Sequence, residues 1–207
     1  VSVAEHVLAL LFSFQKNIHL QYNSVQNKSW KRLTGNEIEG STIGIIGLGS
    51  VGKELAKKSL ALGMSVYCFD LYKDEDFLSQ FNDIVFTENI NDIYENSDVI
   101  SLHIPHTSKT DKLINKEVLF SKIKKNPIII NTSRGKLIDT DSLIDAIQKD
   151  QIKGYLTDVL AEEPIHEEEK LIGVKNIIIT PHVGSRTYQS VQRQGTCSIN
   201  NLINNLI

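Results

Sequence analysis

The feature that most constrains this chain is an apolar run that ends in a glycine turn. Thr42-Ile43-Gly44-Ile45-Ile46 leads into Gly47-Leu48-Gly49-Ser50-Val51-Gly52, after which the apolar residues recur at helical rather than continuous spacing. A run apolar on both faces predicts a strand buried in a parallel sheet covered by helices, because a half-exposed strand would alternate. A helix is expected over residues 51–62, ended by Gly63. Each glycine of the turn has its own mechanical reason. Gly47 closes a tight turn at the strand end, Gly49 lets the backbone approach a pyrophosphate, and Gly52 lets the helix pack close to the strand. The first amides of the helix then face the phosphates of a dinucleotide.

The strand and helix signals continue to alternate. Strands are expected over residues 65–70, 84–87, 99–103, 128–131, 154–158 and 177–180, with helices over 90–96 and 140–149 and a closing helix over 190–207. Ahead of them, Val3, Val7, Leu10, Leu11, Phe14 and Ile18 predict one amphipathic helix over residues 3–20, followed by a polar linker with Trp30. This order implies an α/β fold, a Rossmann-type doubly wound parallel sheet with flanking helices, and no domain break shows between Glu39 and His182. With 207 residues and 41% hydrophobic content a substantial core can be buried.

A formal net charge of -3 and a pI near 6.1 give no broad attraction to nucleic acid or to anionic lipid. The longest apolar stretches, 7–14 and 127–130, fall short of a membrane span. Cys68 and Cys197 lack metal-ligand spacing, and Cys68 sits in an apolar run, so a reduced, disulfide-free cytoplasmic protein is expected. The start at Val1 fits processing or a fragment equally.

Chemistry-bearing residues gather after the strands. Asp70 ends the second strand of the nucleotide-binding unit, eighteen residues after Gly52. A carboxylate there accepts hydrogen bonds from ribose hydroxyls and repels a 2′-phosphate, which favours NAD over NADP, although Lys73 lies close enough to soften the exclusion. The fourth strand opens into His103-Ile104-Pro105-His106-Thr107-Ser108-Lys109-Thr110, and the fifth into Asn131-Thr132-Ser133-Arg134-Gly135. Arginine offers a planar fork suited to a substrate carboxylate. The sixth strand ends in Asp158, five residues before Glu163-Pro164, and the seventh in Thr180-Pro181-His182-Val183-Gly184. A histidine at a strand end is often only structural; Glu163 and Arg134 on neighbouring loops turn the reading of His182 towards chemistry.

These residues in this order resemble the D-isomer-specific 2-hydroxyacid dehydrogenases, from Val3-Ala4-Glu5-His6 through the glycine turn to Thr180–Gly184. The resemblance implies that NAD is the cofactor and that a hydride passes between NAD(H) and C2 of a D-2-hydroxy acid or 2-oxo acid. It gives Arg134 the substrate's carboxylate and carbonyl, Glu163 the histidine, and His182 the acid/base role. It also puts Ser50 and Val51 on the pyrophosphate, Ile104, Pro105 and Thr110 on the adenosine side, and Thr132 and Asp158 at the nicotinamide end. His103, Ser133, Arg134, His182 and Gly184 complete the expected cofactor contacts. The first helix would form a homodimer interface, residues 1–188 the NAD-binding domain, and residues 189–207 a helix returning to a substrate domain that precedes this chain. Lys16 stands where the family usually has arginine. Two other readings remain: a non-catalytic NAD-sensing dimerisation module, and a formate- or phosphite-type dehydrogenase of the same fold.

Overall fold

The continuous apolar run becomes β1 (Thr42–Ile46), and it pairs in parallel on one side with β2 (Ser65–Phe69) and on the other with β4 (Val99–Leu102). The structure, a computed structural model, describes residues 1–206. Beyond β2 lies β3 (Ile84–Thr87); beyond β4 come β5 (Ile128–Asn131), β6 (Gly154–Thr157) and β7 (Ile177–Ile179). The seven strands are parallel in the order β3-β2-β1-β4-β5-β6-β7. Strand order therefore reverses between β1 and β4, and the crevice at their carboxyl ends is where an open sheet of this kind takes a ligand.

Helices cover both faces: α1 (Ser2–Gln15), α2 (Ile18–Gln26), α3 (Ser50–Ala61), α4 (Glu75–Leu78), α5 (Ile90–Asn96), α6 (Thr140–Gln148) and α7 (Tyr188–Leu206). Successive strand residues face opposite sides, so Ile128 and Ile130 of β5 join a core with Val7, Leu11 and Leu55, while Ile129 joins one with Leu119, Leu143 and Tyr155. Burial of β4 and β5 on both faces is why those strands read as near-continuous apolar runs.

The expected elements are present with ends shifted by one or two residues, but the first helix is two. α1 stops at Gln15, and Asn17 takes a left-handed conformation (φ 54°, ψ 32°) before α2 starts. Asparagine tolerates that conformation, and Asn17 Nδ2 donates to Thr34 O at 3.0 Å. Ile18 misled the periodicity, since it begins a new helix and is exposed rather than core. The closing helix begins at Tyr188, two residues early, and Ile207 lies outside the described residues. The four-residue α4 and a π-helical turn at Val118–Lys122 were too short to leave a periodic signal.

Candidate active site

Gly47 leaves β1 with φ +103°, and its N–H donates to Phe69 O at 2.8 Å. A Cβ there would lie 2.5 Å from His103 O, and one on Gly52 would lie 2.1 Å from Gly47 O, so both positions need glycine for close backbone approach. Gly49 differs: a Cβ on it would meet nothing within 4 Å, which leaves open the space a pyrophosphate needs. As N-cap of α3 it supplies no side-chain cap, and the first turn holds no acidic residue. The uncapped amides and helix dipole suit an anion.

Asp70 proves to be part of the turn's framework as well as a ribose candidate. Its Oδ2 accepts from Leu48 N–H at 2.6 Å and its Oδ1 from Tyr72 N–H at 3.2 Å, tying the end of β2 to the glycine turn. Each carboxylate oxygen keeps a further lone pair for a ligand hydroxyl. Lys73 is engaged by Glu75 at 2.8 Å and Lys53 by Asp74, so both cations already have acidic partners.

The loop after β4 lies against the turn. His103 Nε2 meets Ser101 Oγ at 2.8 Å, and burial pushes its imidazole down to about 4, leaving the ring neutral at physiological pH. Ile104 packs on the core, and Thr110 Oγ1 donates to Pro105 O while accepting from Thr107 N–H, each at 2.8 Å. After β5, Asn131 Oδ1 accepts from Ser133 N–H at 3.0 Å and Ser133 Oγ donates to Leu102 O at 2.7 Å. The Thr132 hydroxyl is buried without a partner among the described residues, a donor-acceptor left over for a bound group. The turn, the uncapped helix and this hydroxyl all fit a dinucleotide.

Arg134 is exposed; Nη1 donates to Ser133 O at 2.6 Å, and no carboxylate among the described residues pairs with it. Its loop is fastened to the next one at Gly135, where a Cβ would lie 2.0 Å from the carbonyl carbon of Leu160. From that neighbouring segment Glu163 reaches His182. Glu163 Oε2 accepts from His182 Nδ1 at 2.7 Å, and its Oε1 accepts from Leu160 N–H at 3.0 Å. Desolvation raises the Glu163 carboxyl, but the bonds from His182 and Leu160 outweigh it and hold the group below its ordinary value. His182 Nε2 has no protein partner among the described residues. A cavity of about 590 Å³ opens beside the pair, walled by Pro164, Ile172, Ile179 and Thr180; Arg134 is outside its lining.

His182 itself is left-handed (φ +54°), which costs a non-glycine residue roughly 1–3 kcal/mol. Asp158 holds it there. Oδ1 accepts from Thr180 Oγ1 at 2.6 Å and from Val183 N–H at 2.9 Å, and Oδ2 accepts from Gly184 N–H at 2.7 Å. His6 Nε2 on α1 lies 3.3 Å from Oδ1 and 2.8 Å from Thr180 Oγ1. Ser2, also on α1, donates its hydroxyl to Gly184 O at 2.6 Å. Desolvation raises the Asp158 carboxyl, yet the bonds from His6, Thr180, Val183 and Gly184 lower it to about 2. The sequence reading gave no role to Ser2, His6 or the Thr180 hydroxyl, although His6 and Thr180 lie in segments that carry the resemblance and the i, i+4 spacing of Ser2 and His6 puts both on one helix face.

Asp158 is buried, with its pKa depressed from 3.8 to about 2, so its ionised form stabilises the fold above pH 4 and that contribution fades as pH falls from about 4 to 2. The contribution is of order 2 kcal/mol. Asp158→Asn should lower stability at pH 6 and lose less than the wild type between pH 5 and pH 2. Urea unfolding at those pH values checks it, and parallel acid losses in both proteins would contradict the assignment.

Residues 8–184 match the family profile described as D-isomer specific 2-hydroxyacid dehydrogenase, NAD binding domain. The chain is 34% identical over 198 residues to a D-3-phosphoglycerate dehydrogenase of Methanocaldococcus jannaschii, covering 95% of this chain and 37% of that protein. It is 32% identical over 208 residues to a glyoxylate reductase of Thermofilum pendens, covering 98% and 61%. Among solved structures, a D-lactate dehydrogenase from Aquifex aeolicus complexed with NAD and lactic acid superposes with a TM-score of 0.84 at 31% identity, over 99% of this chain and 66% of that one. The chain thus spans between about a third and two thirds of the length of the relatives it matches. By its profile, its sheet and its glycine turn, the chain belongs to the D-isomer specific 2-hydroxyacid dehydrogenase family, with residues 8–184 matching the family's NAD-binding domain.

Proposed function

We propose that the protein carrying this chain is an oxidoreductase that interconverts a D-2-hydroxy acid and a 2-oxo acid, with NAD as its cofactor. The observation that carries this is the His182–Glu163 pair: Nδ1 at 2.7 Å from a carboxylate oxygen, with Nε2 left without a partner among the described residues. An ionised Glu163 accepts from Nδ1 and orients the ring, so Nε2 can give a proton to the C2 oxygen in reduction and take one in oxidation. Arg134, with no carboxylate partner among the described residues, would orient the substrate's carboxylate. Bound nicotinamide would supply or accept the hydride at C2, balancing the proton handled by His182.

For the cofactor, Gly49, Ser50 and Val51 would hold the pyrophosphate and Asp70 the ribose hydroxyls. Ile104, Pro105 and Thr110 would line the adenosine side, and Thr132 and Asp158 the nicotinamide end, with His103, Ser133 and Gly184 shaping the same crevice. The Asp70 carboxylate at the end of β2, with Lys53 and Lys73 engaged by Asp74 and Glu75, supports NAD over NADP. Residues 1–188 would be the cofactor domain. In the whole protein α7, with Val191, Ile199 and Leu202 exposed, would pack on a further domain that covers the substrate. A second copy would cover α2, where Tyr22 and Val25 are exposed, and Trp30 (82% exposed) beyond it, giving a homodimer. Free thiols support a cytoplasmic setting, Cys68 being buried and pushed up to about 12 by that burial and by the Asp70 charge. No described helix is long and apolar enough to cross a membrane.

Loss of a positioned acid/base typically costs ~10²- to 10⁴-fold in rate, so His182→Ala in the whole protein should suppress NADH oxidation by 2-oxo acids yet leave NADH binding largely intact. Unimpaired turnover would defeat the assignment. Tight NADH binding by the wild type with no turnover of glyoxylate, pyruvate, hydroxypyruvate or 3-phosphohydroxypyruvate would leave a sensor instead.

The two glycines should separate. Gly49→Ala points a methyl into open space, so NADH titration should show weaker binding while stability moves by no more than about 1 kcal/mol. Gly52→Ala forces a methyl against the Gly47 carbonyl and should cost about 1–3 kcal/mol in denaturant unfolding. Equal NADH affinity of Gly49→Ala and wild type would remove the pyrophosphate from this turn. The dimer is checked by sedimentation equilibrium: Tyr22→Glu with Val25→Glu should yield monomer, and an unaltered dimer would place the interface elsewhere.

A further inference from the structure

His182 stands in a strained backbone conformation between Thr180 and Val183, and its flanks are held by one carboxylate. That carboxylate is in turn capped from another part of the chain. His6 Nε2 lies 2.8 Å from Thr180 Oγ1 and 3.3 Å from Asp158 Oδ1, 174 and 152 residues away along the chain. The Thr180 hydroxyl donates to Asp158, so its remaining capacity is to accept, and the Nε2–H of His6 supplies that proton. One turn earlier on the same helix face, the buried Ser2 hydroxyl donates to Gly184 O. Gly184 is pressed between the two elements: a Cβ there would lie 2.9 Å from Asp158 Oδ2 and 3.5 Å from His6 Cδ2.

From this geometry we infer that His6 and Ser2 of α1 are positioning residues for the acid/base His182, fastening the loop that carries it through Asp158, Thr180 and Gly184. The inference rests on the function proposed above only in calling His182 the acid/base. α1 otherwise lies against the sheet and α3, buried through Val7 and Leu11, so it gives the loop a rigid reference that the loop's own exposed residues do not. Neither His6 nor Ser2 needs to touch substrate. Their effect is on where Nε2 of His182 points, and displacement of a reacting group by about 1 Å can cost on the order of a hundredfold in rate.

The test compares His6→Ala, His6→Gln and Ser2→Ala in the whole protein, with Glu5→Gln, on an exposed position of the same helix turn, as control. A glutamine amide places a donor near the position of Nε2, so it should rescue what alanine loses. His6→Ala is expected to lower kcat roughly ten- to hundredfold, with KM and NADH affinity within about twofold, and His6→Gln to recover most of kcat. Ser2→Ala should act in the same direction but less, and Glu5→Gln should match the wild type. In parallel, NMR of the chain reads the Nδ1 proton that His182 shares with Glu163 and the exchange of the Val183 and Gly184 amides. Faster exchange in His6→Ala, restored in His6→Gln, is the expected signature. An unchanged kcat and unchanged exchange in His6→Ala would overturn the inference, as would equal losses in alanine and glutamine variants. If the wild type turns over no 2-oxo acid, the functional reading fails by itself, and the exchange measurements still decide whether α1 holds the loop.

Discussion

The carboxylate of Asp158 takes hydrogen bonds from Thr180, Val183 and Gly184, the residues on either side of His182, while it stands at the sheet's carboxyl edge, just past the end of β6 and beside the edge strand β7. Much of the site depends on that arrangement. A left-handed histidine would relax if its neighbours were free, and the energy needed to keep it is comparable to what a few charge-assisted hydrogen bonds return. Because Asp158 is buried, those bonds act at low dielectric, where an unsatisfied carboxylate would be costly and a satisfied one is rigid. The histidine is thereby held to Glu163 by one nitrogen beside the cavity that the pair lines.

The same edge collects the remaining chemistry because the sheet is parallel. Every strand delivers its following loop to one side, so segments far apart in the chain meet there: the glycine turn after β1, Asp70 after β2, His103 after β4, Arg134 after β5 and Asp158 after β6. The reversal of strand order between β1 and β4 opens the crevice, and the backbone contact of Gly47 with His103 fixes its floor. The Gly135 contact with Leu160 does the same for the arginine and glutamate loops. Rigid strands buried on both faces transmit these spacings with little slack, since a packed core resists even small displacements.

Much of this was readable from residues alone. Strands buried on both faces declare themselves as apolar runs, and Ile128-Ile129-Ile130 could hardly have been anything else. The glycine spacing carried its own mechanical logic, and the structure gives Gly47, Gly49 and Gly52 three different surroundings in keeping with it. The break between α1 and α2 escaped because Ile18 continued the apolar rhythm, although the chain turns at a left-handed Asn17 that periodicity does not register. Asp70 was read for its charge towards a ligand; its bonds to Leu48 and Tyr72 amides depend on a strand pairing that no local window contains.

What the sequence determined by itself was the order of elements, the parallel sheet and the identity of the groups at its edge, because these follow from local apolar spacing and from residue chemistry. What only the tertiary structure decided was which of those groups touch. The 2.7 Å contact of Glu163 with His182 spans nineteen residues, and the His6 contact with Thr180 spans 174. Contacts of that range are set by how helices and strands pack as bodies, and packing is a property of the whole core rather than of any segment in it.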